Sequence, residues 1–166
     1  MALSSFIRIS IIRLASLFYM SKKSKVIFYH DIHAGKQYTS MSTPVALFKR
    51  HIQIIRENGY EIVSEITEKY GQIEICFDDG YLGIYDNIEL IKKLNLPIHL
   101  FVISSSLGKK NHINKEQLIE LNTLSQITIS SHTHTHQMLN LISEESIIEE
   151  FDKSKNKLEQ LLKTEV

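Results

Sequence analysis

The feature that most constrains this chain is a succession of short, largely apolar runs, Val26 to Tyr29, Ile73 to Phe77, "IHLFVI" from Ile98 and "ITIS" from Ile127, with Tyr60 to Ile66 a further strand candidate between the first two. A strand wet on one face alternates apolar and polar residues, whereas runs like these call for cover on both faces. Segments of helical length and period separate most of them. Thr43 and Pro44 read as N-cap and first-turn residues of a helix to about Asn58, with Val45, Phe48, Ile52 and Ile55 on one face and Gly59 ending it. A second helix is predicted from about Ile84 to Leu94, before Pro97, and a third in "INKEQLIELNTL". From Ser143 a capped helix is expected, with acids in its first turns and Ile147, Ile148, Phe151, Leu158, Leu161 and Leu162 as its apolar face. Strands alternating with helices imply an α/β fold of parallel βα units, and 166 residues suffice for one domain.

In parallel α/β folds ligands sit at the carboxyl ends of the strands. "FDDG" follows the third apolar run, "SHTHTH" follows the fifth, and His30 closes the first, so three polar clusters fall on one rim. Asp78 and Asp79 would point apart in a continuing strand, but Gly80 permits a sharp turn that can bring both into one pocket. Taken alone, a turn explains the tetrapeptide completely. His132 and His136 are four apart, which joins two imidazoles on one helical turn, although a wound loop can do the same. His134 lies between them and would point elsewhere. Two histidines and one carboxylate can hold Zn²⁺ or another divalent ion while leaving room for water and substrate. With Asp79 as ligand, Asp78 is free to accept a proton from the attacking water. A similar ligand count also holds non-haem iron, so the inventory leaves hydrolysis and oxidation both open.

"ICFDDGY" followed about fifty residues later by "ISSHTHTHQML" resembles the NodB-like polysaccharide deacetylases, carbohydrate esterase family four. "VIFYHDI" and "TPVALFKRHIQIIRENGYEIVS" are similar to the opening strand, helix and second strand of that family, so the likeness runs from Val26 onward. The resemblance implies a distorted (β/α) barrel that removes N- or O-acetyl groups from carbohydrate. It implies Asp78 as catalytic base, Asp79, His132 and His136 as ligands of a divalent metal ion, most simply Zn²⁺, and His134 at a variable position. The family's later motifs, an arginine- and proline-rich Tyr-Gly segment, a tryptophan wall and a Leu-x-x-His general acid, have no counterpart here, and the chain contains no tryptophan. About five parallel strands cannot close a barrel of seven or eight, so the expectation is an incomplete barrel, truncated after the second motif, with an exposed edge on its fifth strand. Missing oxyanion donors typically cost about 3 to 4 kcal/mol each, so weak or no turnover is expected of this chain alone.

Two other readings stay open: a non-catalytic metal- or carbohydrate-binding remnant, and one part of a split barrel completed by a second copy or by a separate C-terminal half-domain. Acidic and basic side chains balance at 19 each, which gives no general pull towards nucleic acid. Residues 1–25 form an apolar, basic segment read as a helix, distinct from a partial deacetylase domain over 26–166. Arg8 and Arg13 interrupt every window that could span a membrane, and the charge order is wrong for a secretory signal. Peripheral membrane contact or packing on the domain is expected, with a cytoplasmic or membrane-peripheral location. Cys76, the single cysteine, reads as a buried small side chain. His30 is a candidate for substrate contact, Tyr81 for the sugar site or for packing, and His33, His51, His99 and His112 read as structural or solvent-facing.

Overall fold

The computed structural model describes residues 22–166. The reading of residues 1–25 as a helical, membrane-touching segment therefore lies, up to residue 21, outside the described residues. Its last residues belong to the domain, where Lys23 forms a bridge to Tyr70 and the Ser24 amide donates to the Lys69 carbonyl.

The five apolar runs form one parallel sheet, from β1 (Lys25–Tyr29), β4 (Glu61–Val63), β5 (Gln72–Phe77), β6 (Ile98–Val102) and β7 (Ile127–Ser131). Its order is not the order of the chain. β1 lies along one edge of β5, while β4 and β6 divide the other, β4 against Gln72 to Glu74 and β6 against Cys76 and Phe77. β7 then adds to β6. Among the described residues the barrel is not closed, and β1 and β7 each have a single strand partner.

The helices are α1 (Val45–Glu57), α2 (Gly83–Asp86), α3 (Ile88–Leu94), α4 (Lys115–Asn122) and α5 (Glu144–Leu162). One sheet face carries the core: Tyr29, Ile73, Ile75, Phe77, Ile98, Leu100, Val102, Ile127 and Ile129 pack with Phe48 and Ile52 of α1, Ile91 of α3, Leu118 of α4 and Leu158 of α5. At about 25 cal/mol per Å² of apolar surface removed from water, this layer dominates the stability. The pleat and register put Val26, Phe28, Glu74, Cys76, His99, Phe101, Thr128 and Ser130 on the opposite, concave face. That face is not covered as the apolar runs predict, for Val26 is 54% and Phe28 63% exposed. It corresponds to the lumen of the unclosed barrel.

Several local expectations differ from the structure. Thr43 is not a helix cap, because Ser42–Pro44 forms a short strand, β3, paired in parallel with β2 (Asp31–His33), and Pro44 itself occupies the N-cap without a side-chain bond. The polar, glycine-containing residues 30–42, which read from sequence as a long loop, therefore hold β2 and the start of β3. The helix expected from Ile84 to Leu94 breaks at Asn87, whose side-chain amide donates to the Gly83 carbonyl. The strand expected over Tyr60 to Ile66 keeps only three residues. In α5 the Ser143 cap is present, but Ile148 and Phe151 are exposed, and the buried row is Glu150, Ser154, Leu158 and Leu162.

Candidate metal centre

The rim is built where β5 stops. The Asp78 amide still donates to the Tyr29 carbonyl at 2.8 Å, after which Asp79 (φ 70°) and Gly80 (φ 73°) are both left-handed. Aspartate is one of the few side chains that tolerate this conformation, and the turn bends Asp79 back over the strand ends instead of across the sheet. Asp79 is 8% exposed, and its Oδ1 is buried with no hydrogen-bond partner. That oxygen lies 3.6 Å from His132 Nε2, and Oδ2 lies 4.0 Å from His30 Nε2.

The second wall is the loop after β7. His132 continues the strand, its amide donating to the Val102 carbonyl, and the chain then winds through left-handed Thr133 (φ 62°) and His136 (φ 60°). The pair at spacing four is thus joined by a loop, not by a helical turn, with ring centroids 4.5 Å apart. Ser104 and Ser105 amides donate to the carbonyls of Thr133 and His134. From the other side, Glu150 of α5 accepts from the His134 amide at 3.0 Å and from the Thr135 amide and hydroxyl, both at 2.6 Å. The Ser154 hydroxyl donates to the Thr133 carbonyl and accepts from Ser131. His134 is turned away, its Nδ1 at 2.8 Å from the Ser104 hydroxyl.

Donor atoms of Asp79, His132 and His136 all lie within 4.8 Å of one another. A buried carboxylate oxygen without a partner normally costs a few kcal/mol, and here it faces two imidazoles, so this donor set suits a divalent cation. Burial pushes His132 below the usual histidine value, against the pull of Asp78, which favours the neutral imidazole a metal needs. Burial likewise raises the Asp78 carboxyl, against the pull of His132 and His30, with the neighbouring Asp79 adding to the rise. Asp78 stands outside the donor group.

His30 is on the rim, as its place in the sequence suggests. His33 bonds to Ser42, His51 to the Tyr29 hydroxyl, and His112 stacks on Tyr81 at 4.6 Å, which gives Tyr81 a packing partner. Cys76 is buried, and burial together with the Glu74 carboxylate pushes its thiol up to about 12, far from a reactive thiolate. Glu150 and Ser154 were not legible as site residues, since polar positions on an amphipathic helix read as its wet side. The available signal was their four-residue spacing in register with Leu158 and Leu162. A surface cavity of about 250 Å³, lined by Lys115, Lys157, Gln160 and Leu161, involves none of the rim residues.

A sequence profile described as polysaccharide deacetylase matches residues 66–166. The chain belongs to the polysaccharide deacetylase family. It is 32% identical over 129 residues to the Bacillus subtilis (strain 168) protein named "Putative polysaccharide deacetylase YxkH", covering 71% of this chain and 45% of that one. This family member thus spans about half the length of the curated relative it matches. Its fold is shared with the IcaB structure from Ammonifex degensii (TM-score 0.75, 18% identity, 87% of this chain and 72% of that one). It is likewise similar to the Streptococcus pyogenes deacetylase PplD in complex with acetate (TM-score 0.73, 20% identity, 89% and 72% covered). The polysaccharide deacetylase BC0361 from Bacillus cereus gives a TM-score of 0.71 at 23% identity, over 88% of this chain and 49% of that one.

Proposed function

We propose that this chain carries the metal-binding and proton-accepting half of a carbohydrate deacetylase site, acting on N- or O-acetyl groups. The observation that carries the reading is the unpartnered, buried Asp79 Oδ1 facing His132 and His136 beside Asp78, which lies outside that donor group. Asp79, His132 and His136 would hold a divalent cation, of which zinc fits the donors best. Such an ion supplies Lewis-acid polarisation of the acetyl carbonyl and a more acidic attacking water. Asp78, half-buried and raised above the ordinary carboxylate value by desolvation, accepts the proton of that water. His30 approaches Asp79 from β1, the side opposite the histidine loop in strand order, and this approach supports a role for it in contacting substrate or in assisting the departure of the amine or alkoxide. Glu150 orients the histidine loop through its bonds from His134 and Thr135.

Acetate, present in the PplD structure, is the product such a reaction releases. The uncovered concave face favours a second reading, a metal- and carbohydrate-binding unit that reaches full turnover only with further strands across that face. Zinc titration and acetate release from acetylated glucosamine oligomers and acetylated xylan test both. Loss of one bound zinc in His132→Ala supports the ligand set, and an unchanged number and affinity of bound zinc ions in that variant overturns it. Metal-dependent acetate release, abolished in Asp78→Asn with zinc still bound, identifies an enzyme; zinc binding with no acetate identifies the binding unit. His30→Ala is expected to lower turnover by about 10² or more with zinc affinity retained.

A further inference from the structure

On the concave sheet face, one layer below the rim, a second donor group is assembled from residues the deacetylase reading does not use. Glu74 and Cys76 are two apart on β5 and share its concave face, and His99 of β6 is the cross-strand partner of Cys76. His99 Nδ1 lies 2.9 Å from Glu74 Oε1, and Cys76 Sγ lies 3.6 Å from the same oxygen. All three donor atoms fall within 4.8 Å of one another. Three ionisable groups, Cys76 buried and Glu74 and His99 half-buried, meet on a face shared with Val26, Phe28, Phe101, Thr128 and Ser130, a concentration that a shared partner would explain.

We propose that Glu74, Cys76 and His99 form a second metal site, taking a thiophilic divalent cation such as zinc. A tetrahedral zinc ion with bonds of about 2.0 to 2.3 Å needs ligand atoms roughly 3.3 to 3.6 Å apart. The sulfur-to-carboxylate distance already meets this, and the carboxylate-to-imidazole distance has to open by only about half an ångström. The imidazole is also braced from behind, for His99 Nε2 lies 2.8 Å from the Ser130 hydroxyl, the outer hydrogen bond that fixes a metal-bound histidine. On binding, the Cys76 thiol gives its proton to solvent, and the His99 proton sits on Nε2, donating to Ser130. The site shares no ligand with Asp79, His132 and His136. His99 stacks on Phe101 at 4.2 Å, and Phe101 in turn tilts against His132 at 6.0 Å, so the two sites are separated by one aromatic ring.

The test uses the full chain and cobalt(II), then zinc. Because Cys76 is the only cysteine, a thiolate-to-cobalt charge-transfer band can come from no other residue. The expected result is this band at saturation, displaced by zinc, with two cations per chain. Cys76→Ala should abolish the band and leave one cation, while His132→Ala keeps the band. Ser130→Ala should weaken the band-forming event by about 10- to 100-fold. Absence of the band from the wild-type chain at saturating cobalt overturns the proposal, whether or not the variants fold. One cation per chain with the band absent assigns that ion to the rim and leaves Glu74, Cys76 and His99 a hydrogen-bonded polar chain.

Discussion

At Thr135 the main chain and the side chain both donate to Glu150, and the His134 amide adds a third bond to the same carboxylate. Removing the acceptor strands three donors at the loop, so Glu150→Ala should cost about 2 to 4 kcal/mol in denaturant unfolding and weaken zinc binding without touching a ligand. Burial works to raise the Glu150 carboxyl, but these hydrogen bonds outweigh it and hold the group below its ordinary value. A depressed carboxylate stabilises fully above the unfolded glutamate range and loses that contribution as pH falls through the folded value. The gap in stability between the wild type and Glu150→Gln should therefore be constant at neutral pH and shrink below about pH 4.5; a gap that widens in acid would overturn this account. At this scale the sequence reached Asp79, His132 and His136 because spacing and strand ends announce them. It did not reach Glu150, Ser154 or Ser104, whose roles depend on which helix face turns inward, and periodicity named Ile148 and Phe151 for that face.

Gly83 opens α2 against β2 so closely that an added Cβ would lie 2.2 Å from the Ile32 carbonyl oxygen and 1.8 Å from Asp31 Oδ1. Neither neighbour can yield, since Ile32 and Asp31 are fully buried. Gly83→Ala is expected to cost about 3 kcal/mol, read as a lower urea midpoint with unchanged slope. Gly80 presents the opposite case: a Cβ there meets Val102 and Ile113 only at ordinary contact, so Gly80→Ala pays for its φ of 73° alone, about 1 kcal/mol. Comparing the two separates collision from backbone strain. Element types were largely readable, because continuous apolar runs and capped, periodic helices are local signals. The β2 and β3 pair was not, since Asp-Ile-His and Ser-Thr-Pro are too short to carry a periodic signal, and the break at Asn87 carries a side-chain bond that helix periodicity does not encode.

Among the described residues one sheet face is packed by helices, whereas the other leaves Val26 and Phe28 exposed. With β1 and β7 each lacking a second strand partner among the described residues, and Val26 and Phe28 exposed, the isolated chain is expected to self-associate as concentration rises. Sedimentation velocity should show this, and Phe28→Lys should shift the population towards monomer; an unchanged distribution would remove the concave face as the cause. The five strands were evident from their apolar runs, whereas their order was not, because β4 and β6 sharing one edge of β5 is a long-range outcome that no local pattern records. The clamp of α5 on the histidine loop also has a consequence in time. Synthesis proceeds from the N-terminus, so Asp79 and both histidines leave the ribosome before Glu150 and Ser154 do. A nascent chain stopped short of Glu150 already displays Asp79, His132 and His136 but cannot fix the loop of the two histidines, so that, with the proposed ligand set, metal capture would mark the moment at which translation has passed that helix.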